Sequence, residues 1–297
     1  MAEIKDINAP ISVLLLGSDT ELGRALQSYY QNDYDFAWHL VPGHKVIGLL
    51  LELQSQPDAL AAYDAVIDAY SLRHITQNDY NEFSQHLASL MSSENYPLHY
   101  MLSGVQVFSG DKDSSYLETD VADAKGKIAK TLIEMENMVA RDERHVVLRT
   151  GWLFSGHRDD FVCNTIDLMK RGEPLLFNDG SVGCPTPVTD VARVLLSIVK
   201  QRYYGAQNAG IYHYCCSEEV SWIGLVEAIL TTSSQFEPKA NVALERIVDG
   251  AAAEGALMAG RRQSLSCRKI FNHFGIKQRS WRPVLRTLIK EYFQGKG

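Results

Sequence analysis

Ile11-Ser-Val-Leu-Leu-Leu-Gly17-Ser-Asp-Thr-Glu-Leu-Gly23 runs directly into Arg24-Ala-Leu-Gln-Ser-Tyr-Tyr30. A short apolar run rich in branched residues predicts a buried strand, the glycines a tight turn, and the segment after Gly23 a helix. Strand, glycine turn and helix together present backbone N–H groups and a helix N-terminus to a diphosphate. Gly17 also has a plainer reason to be glycine, because a strand-to-helix turn needs its backbone freedom even where nothing binds. Both readings of the loop stay open at this level.

Outward from this stretch the same alternation continues. Ala62-Tyr-Asp-Ala-Val-Ile-Asp68, Pro97-Leu-His-Tyr-Met-Leu102 and His145-Val-Val-Leu-Arg149 read as further strands, with helical stretches between them. Alternating strands and helices imply an α/β fold with a mainly parallel, doubly wound sheet. Within Ala122 to Val139 the apolar residues at 128, 132, 135 and 139 keep helical spacing, which sets Lys130 and Glu134 on one face a turn apart. That pair also reads as a simple surface ion pair. The Ala- and Gly-rich stretch Asp249 to Ala256 reads as a mobile loop.

Composition narrows the function classes. The chain has 297 residues, of which 45% are hydrophobic, enough for one large core or two modest ones. No apolar run approaches the roughly 20 residues that span a bilayer, and Met1-Ala-Glu-Ile-Lys-Asp6 lacks the basic and apolar regions of a signal peptide. A cytoplasmic protein without a membrane partner is expected. A formal charge of −7 argues against a nucleic-acid partner, since phosphate binding relies on clustered Lys and Arg. Arg261-Arg262 with Arg268-Lys269 is a local basic cluster, open to a solvated surface or an anion contact. Cysteines at 163, 184, 215, 216 and 267 show no CxxC pairing and no histidine pattern for zinc, so reduced, mostly buried thiols and no metal are expected. His213 reads as a packed structural histidine.

A series of local motifs falls in one order: Gly17-x5-Gly23, Ser103-Gly-Val-Gln-Val-Phe108 with Gly110, Glu118-Thr-Asp120, Lys130-x3-Glu134 and Arg149-Thr-Gly-Trp152. The order continues through Asn178-Asp179, Gly183-Cys-Pro-Thr186, Asp190-Val-Ala192, Gly210-Ile-Tyr-His213, Ser221-Trp222, Leu265-Ser-Cys-Arg-Lys269, Phe274-Gly-Ile276 and Trp281. In these motifs the chain resembles the dTDP-4-dehydrorhamnose reductase group of extended short-chain dehydrogenases over nearly its whole length. The resemblance implies a Rossmann-type sheet at 9–155, rejoined by part of 184–215, that holds NAD or NADP. It implies a smaller α/β substrate-binding domain at 156–297 for a nucleotide-diphosphate sugar. Carried over position by position, the cofactor-binding set is Gly17, Asp19, Thr20, Glu21, Leu22, Gly23, Ala69, Tyr70, Lys130 and Trp152. The substrate-binding set is Phe161, Pro185, Thr186 and Arg261.

The departures from that family concern its chemistry. The group uses a Ser or Thr, a Tyr and a Lys, the phenol protonating the carbonyl oxygen and the lysine lowering its pKa. Gly104 stands at the Ser/Thr position, and Ser103, one place out of register, is expected to face away from the cleft. YxxxK has become Gly126-Lys-Ile-Ala-Lys130, so the catalytic candidates reduce to Lys130, as a remnant, and Ser103. Thr20 replaces the central glycine of the dinucleotide loop, where a side chain can obstruct approach of the pyrophosphate, so a weakened NAD(P) site is expected. Tyr70 replaces a small residue of an Asn-Ala-Ala-Ala stretch, and Ala259-Gly-Arg261-Arg262 replaces Arg-Pro-Arg-Asn. After the second strand, Pro42-Gly-His44-Lys45 offers no acid for a ribose diol; His44 or Lys45 can meet a 2′-phosphate, or the segment is a solvated turn.

Three functions follow. The chain is a ligand-binding homologue that has lost reductase catalysis and acts through a nucleotide sugar, a dinucleotide or a protein partner. Alternatively it is a working NAD(P)H-dependent reductase of a 4-keto nucleotide sugar, with Tyr116, Tyr70 or a water as proton donor. The third reading is a structural scaffold whose cleft is closed.

Overall fold

A computed structural model of the chain describes residues 9–30, 34–75, 80–157, 160–173, 175–178, 180–237, 244–247 and 262–295. The chain divides into two compact units. The first comprises Met1–Ser103, Gly126–Leu148 and Ala192–Tyr212, and the second Gly104–Lys125, Arg149–Val191 and His213–Gly297.

The first unit is built on β1 (Ile11–Leu16), β2 (Phe36–Val41), β3 (Ala65–Asp68), β4 (Leu98–Gly104) and β5 (Val146–Thr150). Its helices are α1 (Glu21–Tyr30), α2 (Val46–Ser55), α3 (Ser71–His74), α4 (Tyr80–Met91) and α5 (Lys127–Val139). The second unit contributes β6 (Trp152–Phe154), α6 (Phe161–Arg171), β7 (Leu175–Asn178), β8 (Val182–Gly183) and β9 (Pro185–Pro187). The long helix α7 (Val188–Tyr203) and strand β10 (Gly210–Tyr214) follow, and then β11 (Val220–Ser221), α8 (Trp222–Ser233), β12 (Leu244–Ile247), β13 (Arg262–Gln263), α9 (Arg268–Phe274) and α10 (Arg282–Phe293).

The central sheet has the order β10-β5-β4-β3-β1-β2 and is mainly parallel. Beside the edge strand, Leu16 of β1 pairs with Val41 of β2 on one side and Asp68 of β3 on the other. β3 is buried at every position and β1 at all but Ser12, which is why both read as continuous apolar runs and not as alternating ones. β2 closes the edge and is half-exposed. From β1 the chain passes to β2 on one side and then crosses to β3 on the other, and in open α/β sheets such a reversal leaves a crevice at the carboxyl ends of the strands.

Element types follow the sequence, whereas several boundaries move for identifiable reasons. The strand expected from Ala62 starts at Ala65, as β3, because Pro57–Ala62 closes into 3-10 turns. The helix expected from Ala122 starts at Lys127, since Asp123 and Ala124 are held by the preceding loop. Ser109 donates from N and Oγ to the Asp123 carboxylate at 2.8 Å each, and the Ala124 amide donates to Val107 O at 3.0 Å. Residues 104–125 group with the second unit, where Tyr116 exchanges backbone hydrogen bonds with Ser264 and Ser266 and bridges to Leu265. In that unit β6 pairs with β9, and β8 lies between β11 and β13. Among the described residues no helix is long and apolar enough to cross a membrane.

Candidate functional site

The loop between β1 and α1 lies at the carboxyl end of β1, the strand between β3 and the edge strand β2. Gly17 has φ +79°, and a Cβ there would sit 2.9 Å from the Tyr70 backbone N and Cα. Only glycine combines that conformation with such close backbone approach. A Cβ on Gly23 would lie 2.3 Å from Gly17 O, so the second glycine is set by packing of the helix start on the turn.

Thr20 is buried, and its hydroxyl turns into the loop. Oγ1 donates to Gly17 O at 2.7 Å and accepts from the Gly23 amide at 3.0 Å, making Thr20 the N-cap of α1. The cap engages the third amide of the helix; the Glu21 and Leu22 amides, which have no intrahelical acceptor by geometry, lie outside that bond. The hydroxyl of Thr20, the residue expected to obstruct the loop, is thus spent on the loop's own polar groups.

Around the loop, Asp19 is exposed and its Oδ1 accepts from the Gly43 amide at 2.7 Å, tying the first turn to the chain beyond β2. Arg24 donates to Asp19 O, and Arg73 Nε lies 3.9 Å from Glu21 Oε1. Leu22 and Ala69 are buried, the Ala69 amide bonding Leu16 O at 3.0 Å. Tyr70 does not stand over the loop as a bulky replacement. Its ring is buried, stacked on His74 at 4.2 Å and tilted against Phe83 at 4.7 Å, so the layer of α3 and α4 absorbs the extra volume. Its amide, with the Ser71 amide and hydroxyl, donates to the Asp68 carboxylate. Burial raises the Asp68 pKa against those bonds.

The catalytic positions are as spare in three dimensions as in sequence. Ser103 is fully buried and donates to Glu136 Oε1 on the inner face of α5. Gly104 has extended backbone, and the space a Cβ would need holds the Gln106 amide oxygen, 2.2 Å away. Gly126 is the N-cap of α5 without a side-chain cap, and a Cβ there meets nothing within 4 Å. Lys130 and Glu134 are both exposed on α5. Tyr116, a candidate proton donor, is buried; its OH accepts from the Gly110 amide at 2.9 Å while its ring stacks on Phe108 at 4.0 Å.

In the second unit Trp152 gathers the expected substrate residues. Its indole stacks on Trp222 at 4.0 Å, donates to Gln263 Oε1 at 2.9 Å, and covers Gly183, where a Cβ would lie 2.4 Å from the ring. Phe161 tilts against Trp222 at 4.8 Å, and Trp152 pairs with Pro185 across β6 and β9. Pro185 and Thr186 are themselves buried, and Thr186 Oγ1 donates to Cys184 O at 3.0 Å and accepts from Cys216 N at 3.3 Å. Arg261, Asp179 and the 249–256 stretch lie outside the described residues. His213 is structural as expected: its Nδ1 meets Tyr116 O at 3.1 Å, its amide donates to Glu118 at 3.1 Å, and burial beside Arg149 pushes its pKa down to about 3. Sequence reading missed Gln263 and the gathering of Cys184, Cys215 and Cys267, which single letters 31 and 52 residues apart give no periodic signal for. Among the described residues no group of His, Cys, Asp or Glu is arranged to hold a metal ion.

Comparison with known proteins matches residues 11–294 to the family model described as RmlD substrate binding domain. A dTDP-4-dehydrorhamnose reductase of Sinorhizobium fredii is 27% identical over 236 residues, 78% of each chain. One from Aggregatibacter actinomycetemcomitans is 28% identical over 184 residues, 61% of this chain and 63% of that protein. Among solved structures, a dTDP-4-dehydrorhamnose reductase from Clostridium acetobutylicum superposes with TM-score 0.79 at 21% identity, covering 95% of this chain and 99% of that one. The Bacillus anthracis dTDP-4-dehydrorhamnose reductase in complex with NADP gives 0.74 at 17% identity, over 96% and 100%.

Proposed function

The chain belongs to the RmlD substrate binding domain family, and we propose that it keeps the family's ligand binding while having lost reductase turnover. The observation that carries this reading is Gly126: the first position of the YxxxK pattern is a glycine at an open helix cap, with no phenol there to deliver a proton.

The residues present fit a dinucleotide diphosphate. Gly17 brings the backbone of the loop close, the switch point of the sheet lies beside it, and the first-turn amides of Glu21 and Leu22 are the donors that would meet the phosphates. Arg24 and Arg73 offset the negative charge of Asp19 and Glu21 at the same rim. Lys130, exposed on α5, is the residue for the cofactor ribose. When bound, NAD(P)H supplies a hydride; the groups that would manage the accompanying proton are missing from positions 104 and 126. NADP and NAD both appear with solved relatives, NADP with the Bacillus anthracis reductase and NAD with the WbmG enzyme of Bordetella bronchiseptica, which matches with TM-score 0.77 at 11% identity. The protein then acts by the occupancy of its site, through a nucleotide sugar or a protein partner that reads the bound state.

Titration with NADPH and NADH, followed by nicotinamide fluorescence and thermal shift, tests the binding half, because a ligand of the native state raises apparent stability by mass action. Saturable binding with no oxidation of NADPH by 4-keto nucleotide sugars is the expected result. Steady turnover would overturn the loss of catalysis, and absence of binding at millimolar cofactor would overturn the ligand-binding reading.

A further inference from the structure

A cavity of about 740 Å³ lies wholly within the second unit, and its wall combines cations with thiols. Its two acids, Glu218 and Glu219, are each engaged by an arginine. Arg282 Nε donates to Glu218 at 2.7 Å, with Ser280 Oγ on the other oxygen at 3.0 Å, and Arg262 pairs with Glu219. Arg268 and Lys277 add positive charge to the same wall, so the cavity favours an anionic visitor. Glu218 has φ +74°, the only positive φ at a non-glycine among the described residues, and such conformations persist where the surroundings impose them.

Cys267 lies on this wall with its Sγ 3.8 Å from Cys215 Sγ, and the Cys215 amide donates to Cys267 Sγ at 3.2 Å. Cys215 sits behind it, 1% exposed against 7% for Cys267. A disulfide needs its sulfurs at about 2.05 Å, so oxidation has to draw the pair together from 3.8 Å. Cys184 and Cys216 also line the cavity, the Cys184 thiol pushed up by its hydrogen bond with Cys215 and by burial, and the Cys216 thiol by burial beside Asp190. Cys215 is raised too, its bond to Cys184 outweighed by its bond to Cys267 and by burial, so the sulfur–sulfur contact and not acidity singles out Cys267 and Cys215.

We propose that Cys267 and Cys215 form a reversible dithiol/disulfide couple, reached through this cavity by a small anionic disulfide of the glutathione class. Cys267, as thiolate, attacks one sulfur of the incoming disulfide; that S–S bond breaks, the first leaving thiolate takes up the proton Cys267 gave up, and a mixed disulfide forms. Cys215 then attacks the Cys267 sulfur, its proton passing to the second leaving thiolate. The protein loses two hydrogens and two electrons, and the small disulfide becomes two thiols. The product closes a loop of 52 residues between the end of β10 and the start of α9.

The test is incubation of the reduced full-length protein with oxidised glutathione, alkylation of remaining thiols, and peptide mapping by mass. The expected product is a Cys215–Cys267 cross-link with no retained glutathione. Cys215→Ser should instead accumulate glutathione on Cys267, and the double change Arg268→Glu with Lys277→Glu should slow thiol loss by about 10-fold, the scale of electrostatic steering. Five thiols that all remain alkylatable, a Cys184–Cys215 cross-link, or a rate indifferent to the charge reversal would overturn the proposal. Mapping of the unaltered protein decides the pairing even if Cys215→Ser does not fold.

Discussion

Ser103 on β4 and Glu136 on α5 meet in a hydrogen bond sealed inside the first unit, the hydroxyl donating and both residues essentially inaccessible to solvent. A serine one place out of register from the family's catalytic hydroxyl is thereby a structural residue that fastens the helix to the sheet. Ser103→Ala should cost about 1–3 kcal/mol, the penalty of leaving a buried acceptor short of a partner. It should leave cofactor affinity unchanged. Denaturant unfolding and a nicotinamide titration on the same sample separate the two effects.

Gly126 offers the complementary experiment. Its φ of −64° and ψ of 152° suit any residue, and nothing lies within 4 Å of where a Cβ would point. Gly126→Tyr should therefore shift stability by no more than about 0.5 kcal/mol, as for a surface substitution. Combined with Gly104→Thr, for which the flexible Gln106 side chain has to move aside, it should create NADPH-dependent reduction of a 4-keto nucleotide sugar where the unaltered protein shows none. A double variant that binds cofactor and stays silent would mean that the missing proton donor is not what stops turnover.

Much of this was legible in the sequence because it depends on local rules. The run Ile11 to Leu16 became β1 with its bounds unchanged. What the letters did not carry was side-chain direction after a substitution. Thr20 and Tyr70 read as obstructions because each replaces a small residue, yet one turns inward to cap α1 and the other packs on His74 and Phe83. The thiol group around Cys215 was invisible for another reason: contacts between residues 52 apart depend on tertiary folding, which no local periodicity reports.

Thr20 separates capping from obstruction directly. Thr20→Ala removes the hydroxyl that accepts from Gly23 and should cost about 1 kcal/mol; Thr20→Gly should cost only a few tenths. If the hydroxyl is spent on the loop, neither change should tighten NADPH binding beyond about 2-fold, which is near 0.4 kcal/mol. A gain of 10-fold or more in the glycine variant, read by fluorescence titration, would restore the obstructing role.

Gly17→Ala should act far more severely. The added methyl would meet the Tyr70 backbone at 2.9 Å at a φ of +79°, where neither neighbour is a flexible side chain. Strain of this kind costs of order 1–3 kcal/mol before any steric term. The variant should lose stability and cofactor affinity together, which thermal shift with and without NADPH would record as a lowered midpoint and a vanished ligand response.

Acid should weaken the fold through three histidines that are buried neutral: His99, held well below the ordinary value by burial and then by His145, together with His145 and His213. His145 in the first unit is pushed down to about 4, mainly by burial, and His213 in the second to about 3, by burial and then Arg149. Each binds a proton more readily when unfolded, near the ordinary value of 6.5, than when folded. Their stabilisation is thus fully present above about pH 6.5 and is lost as pH falls toward 4 for His145 and toward 3 for His213. Asp68, raised by burial, works in the opposite direction and blunts the slope at the acid end. The upper bound is about 3 kcal/mol for His145 and about 5 kcal/mol for His213, at about 1.36 kcal/mol per pKa unit. His213→Gln keeps a polar side chain in the cage of Phe108, Arg149 and Tyr116 while removing the titration, so its unfolding free energy should fall less steeply between pH 6.5 and 4 than that of the unaltered protein. Parallel slopes in urea melts across that range would show that His213 does not carry the acid sensitivity.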